Sequence, residues 1–465
     1  MSLFDAAFPA SARHRRAALE TLRNADEAPV HYSFSFPVAR WLARRCPGEL
    51  SIDWDEFEDT TRLDELLARV LHPAEDEYFD SGWASTQDWL DEARGDATDF
   101  DWLMAQLGDR KLQPFWSQLY DAAEIPLAWT LSGSRYSKAR NRMQPQPVAT
   151  REAGMRARPR SPKRAIMEPL PGIRLLPPRQ GRRLVDVAMA SLAVRYRETY
   201  HFNYANPREV YLAEVGRGVQ VAVFGLLPGH RFPLECTMGY LLLSNGVPIG
   251  YGGASALFKQ VNTGINIFDE FRHSEAAFLW TQVMRVYHAL TGCTRFIANA
   301  YQFGGDNAEA LKSGAFWFYY RLGFRPVDVK VRALASSESA RIRRDKRYRS
   351  NVKTLRRLAS CDMHLTLPGA KQGDFFDERW FDTVSLLATR ALAAAGTGSR
   401  RRAASLAPIA AAIPTEGWSP ADKRLTQRLL RAKAGEHELP YARLLARHDK
   451  LLISLKKACR RAEIA

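Results

Sequence analysis

Two hydrophobic rhythms run along the chain, and the places where each holds divide it into regions. Up to about residue 135, apolar positions recur at spacings of three and four. "DWDEFEDTTRLDELLARVLH" sets Leu63, Leu66, Leu67 and Val70 on one helical face behind a Thr60 or Thr61 cap. "SGWASTQDWLDEA" carries a capping-box spacing from Ser85 to Asp88. Strand patterns are nearly absent, so residues 1–135 are expected to form an acidic helical domain. No period survives in "YSKARNRMQPQPVATREAGMRARPRSPKRA", where proline and arginine alternate with small polar residues. Residues 136–165 therefore read as a basic linker.

Strand patterns begin in residues 166–335. A helix with Leu184, Val187, Leu192 and Val194 on its apolar positions leads into the extended runs "VYLAEVG" and "VQVAVFGLL". Next, "LECTMGYLLLSNGVPIGYGGASALF" joins two apolar runs at Asn245-Gly246, a pair that tolerates the positive φ angles of a two-residue hairpin turn. "TGINIFDEF" predicts a further strand. "SEAAFLWTQVMRVYHAL" predicts a helix whose Leu279, Val283, Val286 and Leu290 form a buried stripe. "RFIANAYQF" reads as a strand, residues 307–322 as one helix through Ala308, Leu311, Ala315, Phe318 and Leu322, and "RPVDVKVRAL" as the closing strand. Residues 336–465 return to the helical rhythm, with arginines and lysines opposite the leucines, and "AAAGTGSRRRAASLAP" reads as a loop between helices. The fold class expected is α+β or α/β: a central mixed, twisted sheet with flanking helices, between an N-terminal helical domain and a C-terminal basic helical region.

Composition narrows the function class. At 465 residues, with 46% hydrophobic and 25% charged side chains, the chain is globular and too long for one core. A net charge of +16 fits an acidic partner: a phosphate-rich cofactor, a nucleic acid or an anionic surface. No apolar run approaches the roughly 20 residues that span a bilayer, and the first residues lack the pattern of a secretory signal. No membrane association and a cytoplasmic location are expected. The five cysteines are scattered singly, which suggests reduced thiols and offers no metal site.

The order helix, strands, hairpin, strand, helix, strand, helix, strand, together with "NIFDEFRHSEAAFLW" and "AFWFYYRLGFRP", resembles the GNAT superfamily of acyl-CoA-dependent N-acyltransferases. The resemblance covers about a third of the chain and neither flank. It rests on the hairpin, on "DEFRHSEAA" as the strand-to-helix junction, and on a late helix ending Tyr-x-x-x-Gly-Phe, here Tyr319 to Gly323-Phe324. It implies a fold with a GNAT-like sheet and acetyl-CoA or another acyl-CoA as cofactor. Phe268, Arg272, His273, Ser274, Ala276 and Ala277 would hold the cofactor, its pyrophosphate on the unpaired N–H groups of a helix start. The resemblance implies Tyr319 as general acid toward the leaving thiolate. Asp269 or Glu270 would be the base, only one of the two facing the cleft if they end a strand. Glu235 is a second candidate base, and Asn299, Tyr301 and Gln302 are expected on the acceptor side.

Two positions depart from the family pattern. Glu275 stands where the family has a glycine, and it would either point away and stabilise the helix start or repel the pyrophosphate. Lys312 stands where an asparagine is usual. The activity implied is direct transfer of an acyl group to a primary amine on a small molecule or a protein. The alternative is a catalytically inactive GNAT-shaped binding or scaffold module, associated with nucleic acid through the basic C-terminal helices. Acceptor, acyl length and oligomeric state are not legible.

Overall fold

In a computed structural model of the chain, the described residues are 2–464 except 81, 83, 109–112, 145–146, 273–274, 385, 388–412 and 414. They form a mixed α/β protein that divides into two compact units. The first comprises residues 1–6, 12–144 and 185–204, and the second 7–11, 145–184 and 205–465. The loop expected at "AAAGTGSRRRAASLAP" lies outside the described residues.

The first unit is mainly helical, as the spacing predicts, but it also holds a three-stranded antiparallel sheet: β1 (Val30–Tyr32), β2 (Leu50–Ile52) and β3 (Leu127–Trp129), with β3 central. Strands of three residues are too short to show an alternation, which is why the sequence pattern conceals them. Ser85 caps the helix Thr86–Ala93 by accepting the Asp88 N–H at 3.2 Å. Asp99 is buried in this core, and its carboxylate takes the Ile52 N–H at 2.8 Å and the Trp54 indole N–H at 2.9 Å.

The second unit is built on a ten-stranded mixed sheet. Its strands are β4 (Gly172–Leu175), β5 (Ala205–Gly216), β6 (Val219–Leu226), β7 (Cys236–Ser244), β8 (Val247–Leu257), β9 (Gln260–Thr263), β10 (Asn266–Ile267), β11 (Arg295–Ala298), β12 (Arg325–Pro326) and β13 (Met363–Thr366). The order across the sheet is β12-β13-β11-β9-β8-β7-β6-β5-β4, and β10 continues the β9 side of β8. The β7–β8 hairpin turns at Asn245 (φ 48°) and Gly246 (φ 80°), the paired positive angles of a tight hairpin turn. Asn245 is fully buried and also ties down the chain on either side, donating to Ala7 O and Ala149 O at 2.9 Å and accepting from the Ala149 N–H at 2.8 Å.

Three expectations need correction. The end of the stretch read as a basic linker, from Pro162 on, belongs to the helix Pro162–Met167, and β4 follows beyond it. "RPVDVKVRAL" gives only the two residues of β12 before Asp328 caps the helix Val329–Arg344; Asp328 accepts the Val331 N–H at 2.9 Å, and this local cap wins over the valine alternation. The sheet is completed instead by β13, drawn from the region expected to be wholly helical, which inserts between β11 and β12.

The C-terminal helices of this unit are fixed by buried charge. The helix Leu439–Leu445 starts with unpaired N–H groups, and the Glu209 carboxylate on β5, fully buried, takes those of Glu438 (2.7 Å) and Leu439 (2.8 Å). Gly225 makes room for that carboxylate: a Cβ there would lie 2.2 Å from Glu209 Oε2. Lys433 forms an ion pair with Glu438, and Arg231 stands 3.6 Å from Glu209.

Candidate functional site

Two neighbouring strands of the sheet stop pairing part-way along. β9 and β11 run parallel and in register over Gln260–Asn262 and Arg295–Ile297, and the pairing ends there. Past this point β11 turns to its other neighbour β13, through Ala298 and Met363, and then into the short helix Ala300–Phe303. The other side continues through Gly264 and Ile265 to β10 along β8.

Three polar side chains meet at this divergence. The Tyr319 hydroxyl lies beside the Ile265 backbone N–H and donates to Gln302 Oε1 at 3.5 Å. Tyr240 donates to the carbonyl of Gly264 at 2.5 Å. Gly264 is needed for the close approach of Gln302, because a Cβ there would lie 2.1 Å from its Oε1. Rings of Trp280, Phe303 and Phe324 contact Tyr319 edge-on, and the Trp280 indole N–H is buried with no partner among the described residues. Tyr319 itself is only 2% exposed, and this burial raises its hydroxyl well above the ordinary phenol range, so it stays protonated.

The placement of Tyr319 corrects the helical count. A single helix over 307–322 puts Phe318 on the buried stripe and Tyr319 at its margin. Instead Gly314, at φ 66°, separates the helices Ala308–Ser313 and Ala315–Leu322. The break resets the phase, so Phe316, Trp317, Tyr319 and Leu322 are buried while Phe318 is half-exposed.

The helix Ala276–Thr291 begins beside this region, and Glu275 at its start makes no side-chain cap but is turned into the protein. Fully buried, the Glu275 carboxylate lies 3.2 Å from Arg151 Nε and 3.3 Å from Arg217 Nη2 and accepts the Arg156 N–H at 2.7 Å. Arg151 is itself 3% exposed and lies over the Phe8 ring. Two guanidiniums thus neutralise the one carboxylate at a helix start. The small side chains of Ala276 and Ala277 occupy its first turn, half-exposed.

The remaining predicted residues are less concentrated. Phe268 is buried and stacks on Tyr251 (centroids 5.5 Å), so it is part of the core rather than a surface for a cofactor. Arg272 is half-exposed and pairs with Asp269 at 2.7 Å and with Glu309. His273 and Ser274 lie outside the described residues. Asp269 and Glu270 form a short helical turn, Asp269–Phe271, rather than a strand end, and both are exposed; the alternation argument does not apply and the burial it assumed is absent. Glu235 is the carboxylate that burial does push up, with Ser255, Lys433 and Thr237 opposing. It precedes Cys236, which pairs with Ala256, whereas Ile265 falls opposite Gly252 in the register set on either side. Four residues of β8, about 13 Å at strand rise, separate the Cys236 and Ile265 registers, and Glu235 lies one residue beyond Cys236.

Asn299 and Tyr301 line a cavity of about 800 Å³ with Asp306, Asn307, Arg356 and Asp362. Asp362 accepts the Ala300 N–H at 2.8 Å, its carboxyl raised by burial, and Asn299 Oδ1 is buried without a partner among the described residues. Gln302, in the same turn, reaches Tyr319 rather than the cavity lining. Arg151, Arg217 and Ile265 were missed in the sequence. No local pattern marks an arginine in a basic loop as the partner of a glutamate 124 residues away.

Comparison with known proteins gives no match: no family model matches the chain, and neither a curated protein nor a solved structure is significantly similar to it.

Proposed function

We propose that the second unit is a GNAT-like, acyl-CoA-dependent N-acyltransferase that passes an acyl group directly to a primary amine. The observation that carries this reading is the buried Tyr319 hydroxyl, bonded to Gln302 where β9 and β11 part. That is the position an acid must occupy to protonate a thiolate leaving from a cofactor laid along the β9 side. Burial keeps the proton on this hydroxyl in the resting protein, and a buried, oriented hydroxyl needs little reorganisation when charge develops on sulfur. Pairing of Glu275 with Arg151 and Arg217 removes the repulsion a bare carboxylate would exert on a pyrophosphate at the helix start. With Asp269 and Glu270 exposed, Asp269 beside Arg272 and Glu270 are the bases this reading supplies from its own side of the sheet, acting from the solvent edge.

One observation favours a second reading. Tyr319 and Gln302 already satisfy one another and fill the parting, as a binding module without catalysis would have it. Calorimetric titration with acetyl-CoA and longer acyl-CoAs, with Tyr319→Phe alongside, separates the two. The transferase reading expects micromolar binding retained in the variant while acyl transfer to amines falls by about 10²-fold or more. Absence of binding to every acyl-CoA overturns it and leaves the binding module.

A further inference from the structure

The first unit contains its own cavity, of about 910 Å³, and its chemistry is opposite to that of the chain as a whole. Six carboxylates line it against one guanidinium, that of Arg62, in a protein of net charge +16. Asp121 and Glu198 are two of the six. Each holds the start of the helix Phe36–Arg45: Asp121 accepts the Phe36 N–H at 2.7 Å and Glu198 the Ser35 N–H at 2.9 Å. Capping is thus part of their role, but it does not exhaust them. A carboxylate offers roughly four acceptor positions. Asp121 uses two, the second on Ser117, and Glu198 three, with Ser35 Oγ and Asn203 filling the others.

A second observation is independent of the acidic cluster. Tyr120 lines the cavity at 1% exposure, and its hydroxyl is buried with no hydrogen-bond partner among the described residues. It stands within the field of both Asp121 and Glu198, which with burial push its ionisation up. A buried hydroxyl without a partner costs about 1–3 kcal/mol, and a donor entering the cavity would relieve it. Aromatic rings complete the lining, with Tyr32 and Phe57 beside the acids. Among the described residues no three carboxylate, imidazole or thiol groups converge as a metal site requires. Carboxylate acceptors, an unused hydroxyl oxygen and aromatic walls together match an organic cation that still carries N–H donors.

We propose that this cavity binds a primary ammonium group, of the kind carried by an aliphatic diamine, through Asp121, Glu198 and the Tyr120 hydroxyl. The site stands on the first unit alone and does not depend on the transferase reading. The test is calorimetric titration of the full chain, without any acyl-CoA, with putrescine, its uncharged analogue 1,4-butanediol and tetramethylammonium. Saturable one-to-one binding of putrescine is expected, with none of butanediol and tetramethylammonium at least about tenfold weaker, because it lacks N–H donors. Tyr120→Phe should weaken putrescine about tenfold at a melting temperature no lower than the parent's, and Glu198→Gln should weaken it by at least as much. If Glu198→Gln fails to fold for want of its cap, Tyr120→Phe decides alone. The proposal is overturned by no saturation with putrescine, by tetramethylammonium binding as tightly, or by a folded Tyr120→Phe that binds as the parent does.

Discussion

Glu275→Gln tests the electrostatic core of the second unit. The substitution keeps the shape of the side chain and one acceptor oxygen for the Arg156 N–H, but it removes the negative charge that pairs with Arg151 and Arg217. Arg217, at 25% side-chain exposure, can turn to water, whereas Arg151, at 3%, cannot. Breaking a buried pair from one side costs about 3–5 kcal/mol, because the remaining ion is left unsolvated. The lower end applies here, since the amide still satisfies part of the site. We expect a loss of about 3 kcal/mol, a urea midpoint lower by about 1 M for an m-value near 3 kcal/mol/M. Urea-dependent hydrogen exchange in the helix Ala276–Thr291 reads this unit without interference from the tryptophans of the other. The double variant Glu275→Gln/Arg151→Met should recover more than half of the loss, since replacing a whole buried pair by apolar groups is nearly neutral. A Glu275→Gln midpoint within about 0.2 M of the parent would refute the assignment of Glu275 as the counter-ion of a buried arginine.

Further outcomes follow from the same contacts. Gly264→Ala must displace Gln302 from Tyr319 and should cost about 1–3 kcal/mol, with stability restored in Gly264→Ala/Gln302→Ala; equal melting of the parent and Gly264→Ala would contradict the close approach. His201 and His364 are both lowered to about 4, His201 by burial and His364 by burial with Arg295 and Arg332 adding to it. As pH falls the unfolded chain takes these protons first, so each contributes stability that is complete above about pH 6.5 and is lost between about 6.5 and 4. His364→Asn should flatten the loss in the second unit over that window in melting curves taken at stepped pH, and an unchanged slope would reject it. Cys46, Cys236, Cys293 and Cys459 are buried and Cys361 half-exposed, so the native protein should yield about one reactive thiol to a disulfide reagent and all five after denaturation.

What the sequence revealed depended on whether the determinant was local. Asn245-Gly246 specifies its turn by backbone chemistry alone, and the stripe Leu279, Val283, Val286, Leu290 specifies its helix by period; both are found where expected. The period puts Tyr319 at the margin of a helical stripe, yet it is buried, because one glycine, Gly314, resets the helical phase. β13 went unseen because Met363, His364, Leu365 and Thr366 give only four alternating positions, and it is their pairing with Arg295–Ala298 that makes them a strand. The fate of Glu275 was undecidable for the same reason: its partners, Arg151 and Arg217, are set by tertiary structure.

The insertion of β13 between β11 and β12 bears on how the chain is made. Ala298 leaves the ribosome 65 residues ahead of Met363, the residue it pairs with, and β12 also emerges before the strand that joins it to the sheet. At about 5–20 residues per second, that interval is roughly 3–13 s. Throughout it, β11 has one edge of unpaired backbone N–H and C=O groups, the kind of edge that recruits foreign strands. The nascent chain thus passes through a window in which chaperone cover protects the sheet, and a chain stalled before residue 363 stays in that window permanently.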